Sequence, residues 1–280
     1  MDLYLKQHPD IFMPEHKEPQ FFGKDLLSPT FVRKRDDYLA LFAEAEGEKR
    51  VGETSVWSLY SERAAKEIKE FEANARIVII LRNPLEMVRS LHSQYLYVGN
   101  EDIETLEEAL KAEGERKKGL RIPKTATFVQ GLFYRETARY FRQVQRYLEV
   151  FGEDNVHVIV FDDFKADTGS VYEDTLRFLD VGSNFRPDFQ LVNPNKRVRS
   201  KILRDFSRHP PQRARRLVRA FLPATVRHTL VRILTKHNTR YEPAQPLESE
   251  TLKQLRTEFR TEVEQLSELL GRDLGHWVNS

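Results

Sequence analysis

A chain of 280 residues and 33.0 kDa can bury a self-sufficient core, enclosing roughly three-quarters of the surface its extended form exposes. Its 40% hydrophobic, 11% aromatic and 31% charged residues exclude a disordered or collagen-like chain. Cysteine is absent, which excludes disulfides, thiolate metal sites and cysteine nucleophiles and points to a reducing, cytoplasmic compartment.

The strongly apolar run Ile77–Leu81 is far too short to cross a bilayer, and Met1–Pro9 shows no signal-peptide pattern. The net charge of +2 conceals a strong asymmetry. Between Lys196 and Arg240 stand fourteen lysines and arginines against one acid, Asp205. That segment faces an anion, an acidic surface or a membrane.

In chain order, Leu3-Tyr4-Leu5 read as helical, and Ile11–Gly23 as a loop broken by Pro14 and Pro19. Ser28-Pro29 signals a helix start, and Phe31, Tyr38, Leu39 and Phe42 carry its spacing to Gly47. Val51–Val56 reads as extended. Ser61 caps a helix carrying Ala64, Ala65, Ile68 and Phe71. Arg76–Arg82 is a β-branched run, apolar on both faces, as a buried parallel strand requires. Asn83-Pro84 opens a helix at once. Helical patterns follow over Leu106–Lys117 and Val129–Phe151, and a second buried strand over Val156–Phe161. A turn at Asp162–Lys165 leads to a helix over Val171–Leu179. Short basic helices, broken at Pro210-Pro211 and Pro223, precede a last helix from about Pro246 to Leu270. The order strand, helix, helix, strand predicts an α/β layer architecture with parallel strands.

Three clusters carry possible chemistry. The first is Leu81-Arg82-Asn83-Pro84, a strand end that becomes a helix start. Free amides of a first helical turn attract anions, Arg82 supplies a planar fork suited to phosphate, and Ser90 adds a hydroxyl two turns on. The plain alternative is a strand-end ion pair and a solvated serine. The second is the loop His16–Phe22, where Glu18 or His16 can act as a base and Lys17 as an electrostatic clamp. Its plain alternative is a charged loop pinned by Phe21 and Phe22. The third, Gly52–Ser55 with Trp57 and Tyr60, suits a ligand wall or a simple turn. No metal-ligand spacing, nucleophile elbow, dinucleotide fingerprint or Walker-type motif is present.

These clusters join in one resemblance. The segments "YLKQHPDIFMPEHKEPQFF", "VGETSVWSLYSERAAKEIKEFEANARIVIILRNPLEMVRSLHSQY", "VQGLFYRETARYFRQVQRYLEVFGEDNVHVIVFDDFKAD" and "LKQLRTEFRTEVEQLSELLGRDLGHW" resemble the sulfotransferases that use 3′-phosphoadenosine-5′-phosphosulfate (PAPS), in the bacterial form related to the heparan-type enzymes.

The resemblance implies a three-layer fold, a parallel sheet flanked by helices, akin to that of P-loop nucleotide hydrolases. It would form a single domain over 1–280, with a basic helical cap at 196–240 and a C-terminal helix over 246–280. It implies transfer of a sulfuryl group to a hydroxyl or amine of a carbohydrate, lipid or small molecule, with PAPS as co-substrate and no metal. Arg82 and Ser90 would hold the 3′-phosphate, with Lys196, Arg197 and Arg199 in a basic loop nearby. Glu18 would be the base and Lys17 would lie beside the sulfuryl group. His16, Trp57 and Tyr60 would wall the acceptor site.

The chain departs from the family in two places. Thr54 stands where the heparan-type enzymes have a lysine. The chain also starts just after the family's phosphosulfate loop, so that the first strand and that loop are missing. A start codon placed too late, a fragment and a degenerate protein are the three explanations. The rival functional reading is a scaffold that binds adenosine 3′,5′-bisphosphate without chemistry. For the basic segment, peripheral contact with anionic lipid competes with the outer face of a helical cap; few aromatics argue against nucleic acid.

Overall fold

Helices and strands mix along the chain in the expected α/β class. The computed structural model describes residues 1–189, 196–200, 203–204, 233–234, 237–241 and 249–279. The elements begin with α1 (Asp2–Leu5), β1 (Ile11–Phe12), α2 (Arg35–Leu39), β2 (Arg50–Val51), α3 (Trp57–Tyr60), α4 (Ala64–Phe71), β3 (Ile77–Leu81) and α5 (Pro84–Val98). They continue with α6 (Leu106–Arg116), α7 (Tyr134–Thr137), α8 (Tyr140–Phe151), β4 (Val156–Val160), α9 (Phe161–Ala166) and α10 (Thr168–Leu179). Last come β5 (Lys196–Val198), β6 (Thr239–Tyr241), α11 (Ser249–Leu270) and α12 (His276–Asn279).

The chain divides into two compact units, Met1–Leu85 with Thr137–Gln190 and Leu255–Ser280, and Glu86–Glu136 with Leu191–Gln254. In the first, β3 and β4 pair in parallel from Ile77 opposite Val156 to Leu81 opposite Val160. A second parallel pair sets Ile11 opposite Arg50 and Phe12 opposite Val51. Ile79 and Leu81 are buried on one face of β3. On the other face Val78 packs against Tyr4, Leu5, Ile11, Tyr172 and Leu176. Ile80, one step further on that face, stays 39% exposed, so β3 is covered less evenly than its sequence suggests. From α11, Leu255, Phe259, Val263 and Leu266 are buried as one apolar stripe at helical spacing. Ser61 caps α4, its hydroxyl accepting from Ala64 N–H at 3.0 Å and donating to Asp25 at 2.5 Å.

Four local expectations need correction. The loop expected over Ile11–Gly23 opens as a strand, β1, paired with β2. The helix expected from Ser28 forms only as α2 and a 3-10 turn, Ala40–Phe42. Ser28 instead bonds Thr30, folding the chain into a serine turn, and Arg33 reaches back into the preceding loop. The segment 129–151 breaks into a 3-10 turn at Gln130–Leu132, then α7, then α8. Gly131 lies against Tyr95, whose hydroxyl would be 1.9 Å from any Cβ there. Lastly, the turn expected at Asp162–Lys165 is helical, as α9.

In the second unit a buried ion pair organises the loop before α6. Arg116 donates to both oxygens of Glu101 at 2.7 Å, and both side chains are 0% exposed. Tyr134 and the Asp102 and Ile103 amides also donate to Glu101. Burial opposes the charge on Glu101, yet these bonds hold its carboxyl below the usual range. β5 and β6 are antiparallel, with Lys196 opposite Tyr241. The rest of the basic segment 196–240, and with it the expected helical cap and lipid contact, lies mostly outside the described residues. No helix among the described residues is long and apolar enough to cross a membrane.

Arg116→Met should strand the Glu101 charge and lower the unfolding free energy by about 3–5 kcal/mol in urea titrations at neutral pH. A change below about 1 kcal/mol would assign the pair no more weight than a surface bridge.

Candidate active site

The loop between β1 and α2 makes an unusual turn at Glu18-Pro19-Gln20. Glu18 has φ 56° and Gln20 φ 50°, left-handed values that cost a non-glycine residue roughly 1–2 kcal/mol each. Bonds from the segment after β2 hold the turn. Glu18 N–H donates to Thr54 O at 3.0 Å, and Gln20 N–H to Ser55 Oγ at 2.9 Å. Val56 N–H donates to Glu18 Oε2 at 2.9 Å, and the Gln20 amide to the same oxygen at 2.7 Å.

From the other side, Val32 N–H donates to Pro19 O at 2.8 Å. Arg33 then gathers backbone carbonyls. Its Nη1 donates to Gln20 O and Phe21 O at 3.0 Å, and its Nη2 to Gly23 O at 3.1 Å and also to Leu26 O. Below the turn, Phe21 stacks on Tyr38 at 4.2 Å and Phe22 meets Tyr38 and Phe71 edge-on.

Electrostatics follow from this packing. Burial raises the Glu18 carboxyl above its ordinary value, although the Val56 and Gln20 bonds pull the other way. Burial, opposed by the Ser55 bond and helped by the charge of Glu18, pushes Glu53 up to about 7. Both bonds to Glu18 fall on Oε2; among the described residues Oε1 accepts none. That leaves one partly buried carboxylate oxygen ready to accept a proton.

Around this centre the expected residues fall unevenly. Lys17 is exposed and ion-pairs with Asp2, which also accepts from Thr54 Oγ1 at 3.2 Å. His16 is exposed on the same loop. Trp57 and Tyr60 meet edge-on at 6.2 Å on α3, directly after the residues that hold Glu18. Val56 between them and Glu18 keeps 59% of its surface exposed.

Arg82 stands at the end of β3, partly buried, its guanidinium 5.2 Å from the centre of the Phe161 ring. Asn83 caps α5 as expected, Oδ1 accepting from Leu85 N–H at 2.9 Å, and is anchored by Trp277 O at 3.2 Å. Arg82 and Asn83 thus put a cation and a capped helix start at a strand end, which suits an anionic group.

Ser90 lies exposed on α5, in the second unit. Arg199 is exposed there too, its N–H bonded to Asn238 O at 2.8 Å. Lys196 and Arg197 lie in β5, and their side chains fall outside the described residues. No group of three or more His, Asp or Glu among the described residues is placed to hold a metal ion.

Sequence reasoning singled out Glu18 and the Glu53–Ser55 segment but not the clasp between them, nor Gln20 and Arg33. The only signal for the clasp was a charged Glu-Pro-Gln beside an aromatic pair. Positive φ at a glutamate and a glutamine leaves no mark in composition or spacing.

The sulfotransferase domain model matches residues 62–209, more than half of the chain. The protein therefore belongs to the sulfotransferase family. No curated protein matches it. Among solved structures, the crystal structure of a sulfotransferase from Alicyclobacillus acidocaldarius is 27% identical, covering 99% of this chain and 92% of that one at a TM-score of 0.72. The family match takes in Arg82, Ser90, Lys196, Arg197 and Arg199; Lys17, Glu18 and Glu53 precede it.

Arg33→Ala removes the donor to these carbonyls at once. It should raise amide exchange across residues 20–26 and lower stability by about 2–4 kcal/mol, read by hydrogen exchange and thermal melts. Exchange unchanged across that loop would show that Arg33 does not organise it.

Proposed function

We propose that this sulfotransferase moves a sulfuryl group from PAPS to a hydroxyl or amine of a carbohydrate, lipid or small-molecule acceptor, with Glu18 as general base. The observation that carries the reading is the clasped turn: a carboxylate with raised proton affinity, one oxygen fixed by two donors and the other open. The acceptor oxygen or nitrogen attacks sulfur, the bond from sulfur to the 5′-phosphate oxygen breaks, and the acceptor proton passes to Glu18 Oε1. The products are the sulfated acceptor and adenosine 3′,5′-bisphosphate.

Arg82, with the start of α5, is the proposed contact for the 3′-phosphate, and the cation beside a capped helix end supports it. For Ser90, Lys196, Arg197 and Arg199 a phosphate-binding role is likewise proposed; their place within the matched family region supports it. Lys17 is proposed to neutralise charge on the sulfuryl group, which requires its pairing with Asp2 to loosen. Exposed Val56 with Trp57 and Tyr60 offers an apolar and aromatic surface on which an acceptor can lie; exposed His16, on the Glu18 loop, is proposed as a further acceptor contact.

The test is transfer of labelled sulfate from PAPS to an acceptor panel. Glu18→Gln should lose transfer by about 10²-fold or more while bisphosphate binding, measured by calorimetry, persists. Wild-type turnover should fall as pH drops through the raised Glu18 value, because the base must be unprotonated. Unchanged turnover in Glu18→Gln would remove it as base. Arg82→Ala should weaken the bisphosphate by about tenfold or more and adenosine hardly at all; equal weakening of both would argue against a phosphate contact.

A further inference from the structure

The segment Glu53–Val56 carries a second carboxylate with an unexplained position. Ser55 Oγ donates to Glu53 Oε2 at 2.8 Å, which leaves its lone pairs for the Gln20 N–H at 2.9 Å. One hydroxyl is therefore oriented by a carboxylate on one side and by a strained backbone amide on the other. Among the described residues Glu53 makes no ion pair, and it is partly buried. A carboxylate taken from water without a cation is costly, so a purely structural role would be served better by a neutral side chain. Facing it electrostatically are Glu18 from the neighbouring turn, Tyr38 from α2 and Tyr147 from α8.

We propose that Glu53 is a positioning residue for sulfuryl transfer: through Ser55 it holds Gln20, and so Glu18, in the left-handed turn that presents the open oxygen of Glu18. This rests on the reading of Glu18 as base. The two carboxylates divide the work. Glu18 takes the acceptor proton. Glu53 orients the hydroxyl and, once ionised, makes Glu18 more basic, because like charges favour proton binding at their neighbour. Burial pushes Glu53 up to about 7 and raises Glu18 as well, so the two carboxyls ionise in two steps that belong to the pair.

The experiment compares wild type with Glu53→Gln, Glu53→Ala and Ser55→Ala. Glu53→Ala and Ser55→Ala should each lower kcat by about tenfold or more, with acceptor KM and bisphosphate affinity within about threefold. Amide exchange at Gln20 should rise in both. Glu53→Gln keeps an oxygen that accepts from Ser55, so it should recover most of kcat at about pH 6 and normal Gln20 exchange.

The pH profile gives the sharper reading. Wild-type kcat should rise in two steps, the upper near 7 where Glu53 ionises, and Glu53→Gln should lack that upper step. Folding is checked in the same set. A carboxyl raised in the folded state lends stability that is full below its unfolded value and lost as pH rises through the folded one. Glu53→Gln should therefore melt higher than wild type at about pH 8 and gain little at about pH 5, an outcome no misfolded variant produces.

Wild-type kcat and Gln20 exchange in Glu53→Ala would overturn the proposal, as would an upper step retained in Glu53→Gln. Glu18→Gln separates the two levels. Normal turnover there removes the base. Loss of turnover there, with the Glu53 variants behaving as wild type, removes only the positioning role.

Discussion

The pairing of β3 with β4 is the constraint on which the first unit rests. Each strand is a short β-branched run, and parallel neighbours cannot be joined by a tight turn. The chain must therefore leave β3, travel through several helices and return before β4 can form. Apolar faces on both strands then demand cover, and α8, α9 and α10 pack against β4 to supply it. The strand end at Leu81 is thereby fixed, with Arg82 and the start of α5 beside it. A parallel strand end that becomes a helix start is where this class of fold meets anions.

The Glu18 turn is held on a different principle. No regular ladder stabilises it. Two left-handed residues around a proline persist because neighbouring segments over-determine them: Thr54, Ser55 and Val56 from one side, Val32 and Arg33 from the other. Below it the aromatic layer of Phe21, Phe22, Tyr38 and Phe71 fixes the loop to α2 and α4. Strain paid in this way is common where a side chain must be aimed. Here the aimed group is a carboxylate whose proton affinity burial has already raised.

The second unit solves the burial of charge differently. Glu101 stays ionised because Arg116, Tyr134 and two amides satisfy its oxygens together. Among the described residues Glu53 lacks such a set and meets a single hydroxyl and a neighbouring acid. The same side chain is thus held charged in one place and pushed toward neutrality in another, by the donors within reach rather than by burial alone.

Much was legible in the residues alone. Periodicity marked β3, β4, α5, α6 and α11, because a β-branched run and an apolar stripe at helical spacing are local signals. Asn83-Pro84 and Ser61 marked helix starts for the same reason, and the lysine-glutamate-aromatic loop was singled out as a candidate site through its likeness to a family. The sequence misled where a side chain takes a partner outside the regular helix. Ser28 turns to Thr30, Arg33 to carbonyls up to 13 residues back, and Gly131 yields to Tyr95. Tertiary structure alone decided which oxygen of Glu18 is held and which is open. It alone set Glu53 and Gln20 against one hydroxyl, because positive φ and burial arise from contacts between segments far apart in the chain.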